Sequence, residues 1–161
     1  MIIMEFNFST NNHEETVKAG ICLGQVLKTG CVIGLIGDLG AGKTCFAKGI
    51  ANGLNDVPER EVTSPTFTIL QVYDGNVPLY HFDAYRLEGT NDLMDIGFDD
   101  YVEGAGVSVI EWADNIIDAL PEERMLIDIQ LRDDSNRCFR CTAEGAKHDG
   151  VLGEFKMRLE T

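Results

Sequence analysis

At 161 residues, with 44% hydrophobic and 25% charged side chains, the chain is expected to fold as one domain, residues 1–161, around a core, and no apolar run approaches the roughly 18 residues of a membrane span. Its net charge of −14 excludes ordinary charge-driven binding to phosphate backbones. The opening Met1-Ile2-Ile3-Met4-Glu5-Phe6 lacks the basic region and cleavage site of a secretory signal, so a cytoplasmic location is expected, with the five cysteines as small core residues in a reducing compartment.

Residues 2–8 alternate loosely and should open a sheet; the polar cluster Ser9-Thr10-Asn11-Asn12 is suited to capping a helix. That helix, over about 13–28, would turn Val17, Ile21, Leu23 and Leu27 inward and stop at Gly30. Cys31-Val32-Ile33-Gly34-Leu35-Ile36 is short and apolar, as a buried strand should be. It runs into Gly37-Asp38-Leu39-Gly40-Ala41-Gly42-Lys43-Thr44, a complete G-x-x-x-x-G-K-T loop. Residues 45–54 then place Phe46, Ile50 and Leu54 on one helix face. Strand, glycine loop and helix converge backbone N–H groups on an anion. Lys43 is expected against the β- and γ-phosphates of a nucleoside triphosphate, and the Thr44 hydroxyl on Mg²⁺.

A loop over 55–65 precedes two predicted strands, 66–73 and 77–83, joined by Asp74-Gly75-Asn76, residues that accept positive φ in a hairpin. A short helix near 91–96 should stop at Gly97. The strand Val107-Ser108-Val109-Ile110 ends in Glu111-Trp112, and strands over 125–131 and about 137–143 close the sheet. A last helix, from about 149, carries Val151, Leu152, Phe155 and Leu159 on one side. This order implies an α/β protein: a three-layer P-loop NTPase-like fold with a mixed, largely parallel central sheet and its ligand at the strand C-termini.

A phosphate loop needs an acidic partner to hold Mg²⁺ or orient water, usually where an apolar strand ends. Leu79-Tyr80-His81-Phe82 ends in Asp83 and the strand at 107–110 ends in Glu111; spacing alone does not rank them. Thr63-Ser64-Pro65-Thr66-Phe67 gathers hydroxyls around a stiffening proline. It reads either as a switch ordered by the γ-phosphate or as an ordinary loop. Arg86 would neutralise phosphate or pair locally, His81 reads as a structural histidine, and Trp112 as packing. Cys138 and Cys141, three apart on a strand, face opposite sides and have no accompanying second pair or His ligands, which argues against a metal or redox site. Residues 83–134 hold fifteen acids and three bases, a net −12, fitting a solvated face or a docking surface for a basic partner.

No lysine lies between Lys48 and Lys147, so the N-K-x-D element of guanine-specific switches is missing. A small-molecule kinase would need an arginine-rich lid, yet Arg132, Arg137 and Arg140, the one arginine cluster, fall on a predicted strand pair.

G-D-L-G-A-G-K-T at 37–44, S-P-T-F at 64–67, H-F-D-A-Y-R-L at 81–87 and I-E-W at 110–112 occur in the order and spacing of the TsaE (YjeE) family. The chain resembles that family from about residue 15 to residue 137. The resemblance implies an ATPase of bacterial tRNA threonylcarbamoyladenosine synthesis that uses ATP and Mg²⁺. It implies work with the TsaB and TsaD proteins, tRNA being reached only through that complex. Carried over by position, Gly37 to Thr44 cradle the phosphates, Thr44 and Glu111 resemble the Mg²⁺ ligands, and Asp83 the residue that assists hydrolysis. Lys43 and Thr66 complete the implied catalytic set, Ser64 to Thr66 resemble the switch loop, and Arg137 resembles a nucleotide-contacting residue. Thr16 agrees with the family where the base packs at the first helix; residues 9–14 do not match well enough to assign contacts. Two other readings stand beside this one: a small-molecule kinase in which Asp83 and Arg86 position an acceptor hydroxyl, and a nucleotide-dependent binding module without turnover.

Overall fold

A computed structural model describes residues 4–88 and 90–161. Its strands are β1 (Met4–Thr10), β2 (Val32–Ile36), β3 (Leu70–Tyr73), β4 (Leu79–Asp83), β5 (Val107–Glu111), β6 (Arg124–Leu131) and β7 (Arg137–Glu144). They form one sheet in the order β1-β7-β6-β2-β5-β4-β3. The central strands β6, β2, β5 and β4 run parallel, while β7, β1 and β3 add antiparallel pairs at the edges. Both faces of the parallel centre are covered, which is why β2 and β5 read as continuous apolar runs with no alternation.

The helices are α1 (His13–Val26), α2 (Lys43–Asn55), α3 (Thr90–Asp95), α4 (Phe98–Val102) and α5 (Ala146–Glu160). Residues of α1, α2 and α5 pack with Ile33, Leu35, Val109 and Ile127 in one core. On the other face α3, α4 and the 3₁₀ segment Ala113–Ala119 pack with Val32, Phe82 and Ile110. The result is three layers, helices over sheet over helices. Among the described residues, no helix is long and apolar enough to cross a membrane.

α1 begins where expected, with Asn12 Oδ1 accepting from the Glu15 N–H at 2.9 Å. Its buried face differs from the predicted one. Thr16, Ala19, Gly20, Leu23 and Gly24 are buried, while Val17 and Ile21 are only partly so. The reason is α2: Gly20 and Gly24 sit against its backbone at Phe46 and Ile50, and Gly49 and Gly53 against that of α1 at Val17 and Ile21, with no room for a Cβ. Small residues, not large apolar ones, set this contact.

Other boundaries also move. β1 runs on to Thr10, and Ile2 and Ile3 of the expected strand lie outside the described residues. α1 stops at Val26, with the Leu27 N–H donating to Leu23 O, and Gly30 serves the turn before β2 at φ +86°. β3 starts at Leu70 because Ile69, at φ 71°, donates to Pro65 O and closes a turn over residues predicted as strand. Tyr73 faces Leu79 across a longer link than a tight hairpin, and none of residues 74–76 has positive φ. α4, absent from the sequence reading, follows Gly97, and α5 begins at Ala146. Only Cys31 and Cys141 are fully buried core thiols; Cys22, Cys45 and Cys138 are partly exposed, and all five are free.

Candidate functional site

Gly37 to Thr44 link the end of β2 to α2, whose first residue is Lys43. Gly40 and Gly42 lie at φ 82° and 112°, backbone that side-chain-bearing residues rarely adopt. The first N–H groups of a helix have no intrahelical partner, and α2 has no side-chain N-cap to take them, so they suit an anion. Arg137 stands at the start of β7, and its Nε donates to Ala41 O at 2.8 Å. It supports the loop backbone from the side of Gly42.

The Lys43 ammonium donates to the carbonyls of Gly37 and Asp38 and lies 3.9 Å from the centroid of the Trp112 ring. Burial lowers its pKa, against the opposing pull of Glu111, Asp114, Asp38 and Asp83. Trp112 reaches this position from a left-handed backbone, φ 58°, directly after β5. Its packing role in the sequence reading is therefore specific: it lies over the lysine.

Glu111, at the end of β5, is 2% exposed. The Thr44 hydroxyl donates to its Oε1 at 2.7 Å, and His81 Nε2 stands 2.6 Å from its Oε2. Parallel pairing of β4 with β5 sets Asp83 opposite Glu111 in register, so both candidate acids reach the same rim. Their partners separate them: Asp83 Oδ2 accepts from the hydroxyls of Ser64 (2.6 Å) and Thr66 (3.0 Å), while Oδ1 accepts from the Tyr85 N–H.

Lys43, Thr44, Ser64, Thr66, Asp83 and Glu111 thus line one cleft of about 460 Å³. Arg86 is placed elsewhere: its guanidinium lies 5.5 Å from the ring centroid of the exposed Phe67, outside the cleft lining, without an ion pair among the described residues. A magnesium ion suits the chemistry. Four carboxylates surround one ammonium here, so a polyphosphate needs a further cation, and Mg²⁺ takes one or two protein oxygens and completes its shell with phosphate and water.

One arrangement had no counterpart in the sequence reading. Cys45 Sγ, directly after Thr44, lies 3.3 Å from His13 Nδ1, and His13 Nε2 lies 2.6 Å from Glu59 Oε1. One tautomer serves both contacts, with thiol donating to Nδ1 and Nε2–H donating to the carboxylate. The Cys45 thiol is pushed up to about 11, chiefly by burial, so it acts as a neutral link between the starts of α1 and α2 and the 3₁₀ turn Glu59–Glu61. Only the position of Cys45 beside the loop hinted at this. Cys141 is buried and Cys138 partly exposed, on opposite faces of β7 as expected, with Arg132 donating to Cys138.

The family model described as threonylcarbamoyl adenosine biosynthesis protein TsaE matches residues 10–139. The chain is 46% identical over 124 residues to the tRNA threonylcarbamoyladenosine biosynthesis protein TsaE of Treponema pallidum, covering 77% of this chain and 90% of that protein. It is 44% identical over 151 residues to the protein of the same name from Bacillus subtilis, covering 93% of each. The crystal structure of Bacillus subtilis YdiB superposes with a TM-score of 0.82 at 37% identity, covering 100% of this chain and 99% of that one.

Proposed function

Because this chain belongs to the TsaE family of tRNA threonylcarbamoyladenosine biosynthesis proteins, we propose that it binds ATP with Mg²⁺ at residues 37–44 and hydrolyses it as an accessory to that tRNA modification. The observation that carries the reading is Thr44 bonded to Glu111 beside Lys43. An alcohol and a carboxylate placed together at a phosphate loop form a magnesium pair. Thr44 and Glu111 would hold the ion, which neutralises charge on the β- and γ-phosphates.

Lys43 exchanges its loop carbonyls for phosphate oxygens, and Arg137 steadies the loop. Asp83 is the residue proposed to take a proton from the attacking water. Its Oδ2 is engaged by Ser64 and Thr66; when either hydroxyl turns to the γ-phosphoryl oxygens, that lone pair becomes free for water. The same movement makes Ser64 to Thr66 a switch that reports the triphosphate. The partners in this reading are TsaB and TsaD in the cytoplasm, with tRNA held by them: a segment carrying −12 between residues 83 and 134 is poorly suited to hold tRNA alone.

The test follows ³²P from γ-labelled ATP with the chain alone and with TsaB–TsaD. Slow release of free phosphate, accelerated by the partners, is expected. Equal turnover with and without them overturns the coupling, and a labelled small molecule would mark a kinase.

A further inference from the structure

α3, α4 and the end of the 113–119 segment line an open groove of about 500 Å³ that shares no lining residue with the nucleotide cleft. Leu93, Phe98 and Ala119 line it, the first two belonging to the core cluster beneath. Met94 stands at its edge, 74% exposed, a flexible thioether of the kind that adapts to a docked side chain. The charged side chains that line it, Asp99 and Asp100, are both acidic, and the nearest cations, Arg124 on the Ile117 carbonyl and Lys147 in the neighbouring hollow, lie outside its lining. Between Arg86 and Arg124 the chain has eleven acidic residues and no lysine or arginine. Asp92, Asp95, Asp99, Asp100, Glu103 and Asp118 are exposed, and none forms an ion pair among the described residues.

An apolar groove with an unbalanced anionic rim is complementary to one kind of ligand. We infer that α3, α4 and the 113–119 segment form a docking surface for a cationic amphipathic segment of a partner protein. An apolar side chain fills the groove over Leu93 and Phe98, and lysine or arginine heads meet the rim while their stems cover Met94. Nucleic acid and a second copy of this chain, itself at −14, are repelled by the same rim. The inference goes beyond the nucleotide reading and stands without it. It bears on that site through chain connectivity: α3 follows the Asp83-to-Leu87 stretch, and the 113–119 segment follows Trp112.

The experiment titrates the ¹⁵N-labelled full chain with a synthetic amphipathic helix of leucine and lysine, alongside Met94→Glu and an Asp99→Asn/Asp100→Asn double variant, with circular dichroism to show each is folded. Met94→Glu separates docking from plain attraction, because it adds negative charge while spoiling the apolar contact. The expected result is shifts at Leu93, Phe98 and Ala119, binding that weakens with salt, and affinity reduced in both variants. The loss for Met94→Glu should be roughly tenfold, that of one apolar anchor. Absent binding, shifts centred elsewhere, Met94→Glu binding as tightly as or tighter than the parent, or dimerisation of the chain through this face would each overturn the proposal.

Discussion

His81 Nε2 stands 2.6 Å from Glu111 Oε2, and both side chains are almost wholly buried. β4 and β5 are parallel neighbours, so a histidine two residues before Asp83 can brace the acid of the next strand. With Thr44 on the other oxygen, the Glu111 carboxylate is fixed from two sides. In the proposed function Glu111 is a magnesium ligand, and replacing a group that orients a metal ligand typically lowers metal affinity or activity about 10–100-fold. His81→Phe should therefore raise the Mg²⁺ concentration for half-maximal ATP turnover by that order, while metal-free ADP binding stays unchanged. His81→Gln, which keeps a donor, should recover part of the loss. A magnesium titration of turnover decides it; an unchanged midpoint would return His81 to a structural role.

Asp83 supports a different expectation, because its partners are the hydroxyls of the 64–66 loop. Asp83→Asn should leave ATP affinity within a few-fold and reduce single-turnover hydrolysis by about 10²–10⁴-fold, the range for loss of a general base. Ser64→Ala/Thr66→Ala should blunt the difference between ATP and ADP in any partner-binding assay, since the loop could no longer report the γ-phosphate. Normal hydrolysis by Asp83→Asn would remove Asp83 from the proposed chemistry.

The features legible in the sequence were those written locally. The glycine pattern of 37–44, the apolar runs of β2 and β5, and the Asn12 cap each depend on neighbours a few residues away. The illegible ones depend on which strands and helices lie side by side. His81 meets Glu111 only through sheet order, Trp112 reaches Lys43 only through its left-handed backbone, and His13 joins Cys45 to Glu59 across three separate elements. The α1 face was misread for the same reason: periodicity marks large apolar residues, whereas this contact is made by glycines that let two backbones approach.

That close approach gives a stability prediction. A methyl group on Gly49 would run into the α1 backbone at Val17 and Gly20, atoms that cannot turn aside as a flexible side chain could. Overpacking of this kind costs roughly 1–3 kcal/mol, outweighing the helix-propensity gain of about 1 kcal/mol for alanine over glycine. Gly49→Ala should lower the urea midpoint with an unchanged m-value. Gly150→Ala, at a helix position where a Cβ meets nothing within 4 Å, should raise it. Stabilisation by both variants would mean that α1 and α2 are not held at the separation described.

Stability should also depend on a buried histidine remote from the cleft. His148 of α5 is 3% exposed, and its Nε2 accepts from the Val32 N–H at 3.0 Å. Burial, aided by Lys147, pushes its pKa below the usual 6.5, against smaller pulls from Glu123 and Asp149. The unfolded chain therefore takes up a proton near pH 6.5 that the folded chain resists, so the unfolded state binds more protons in that window. The stabilising contribution is complete above about pH 6.5, declines as pH falls below it, and levels off once the folded histidine also protonates. His148→Gln can still accept from Val32 through its amide oxygen but cannot titrate. Urea melts at about pH 7.5 and about pH 5.5 should show a smaller loss of unfolding free energy for the variant than for the parent. Parallel losses would mean that the proton taken up on acid unfolding goes to another group.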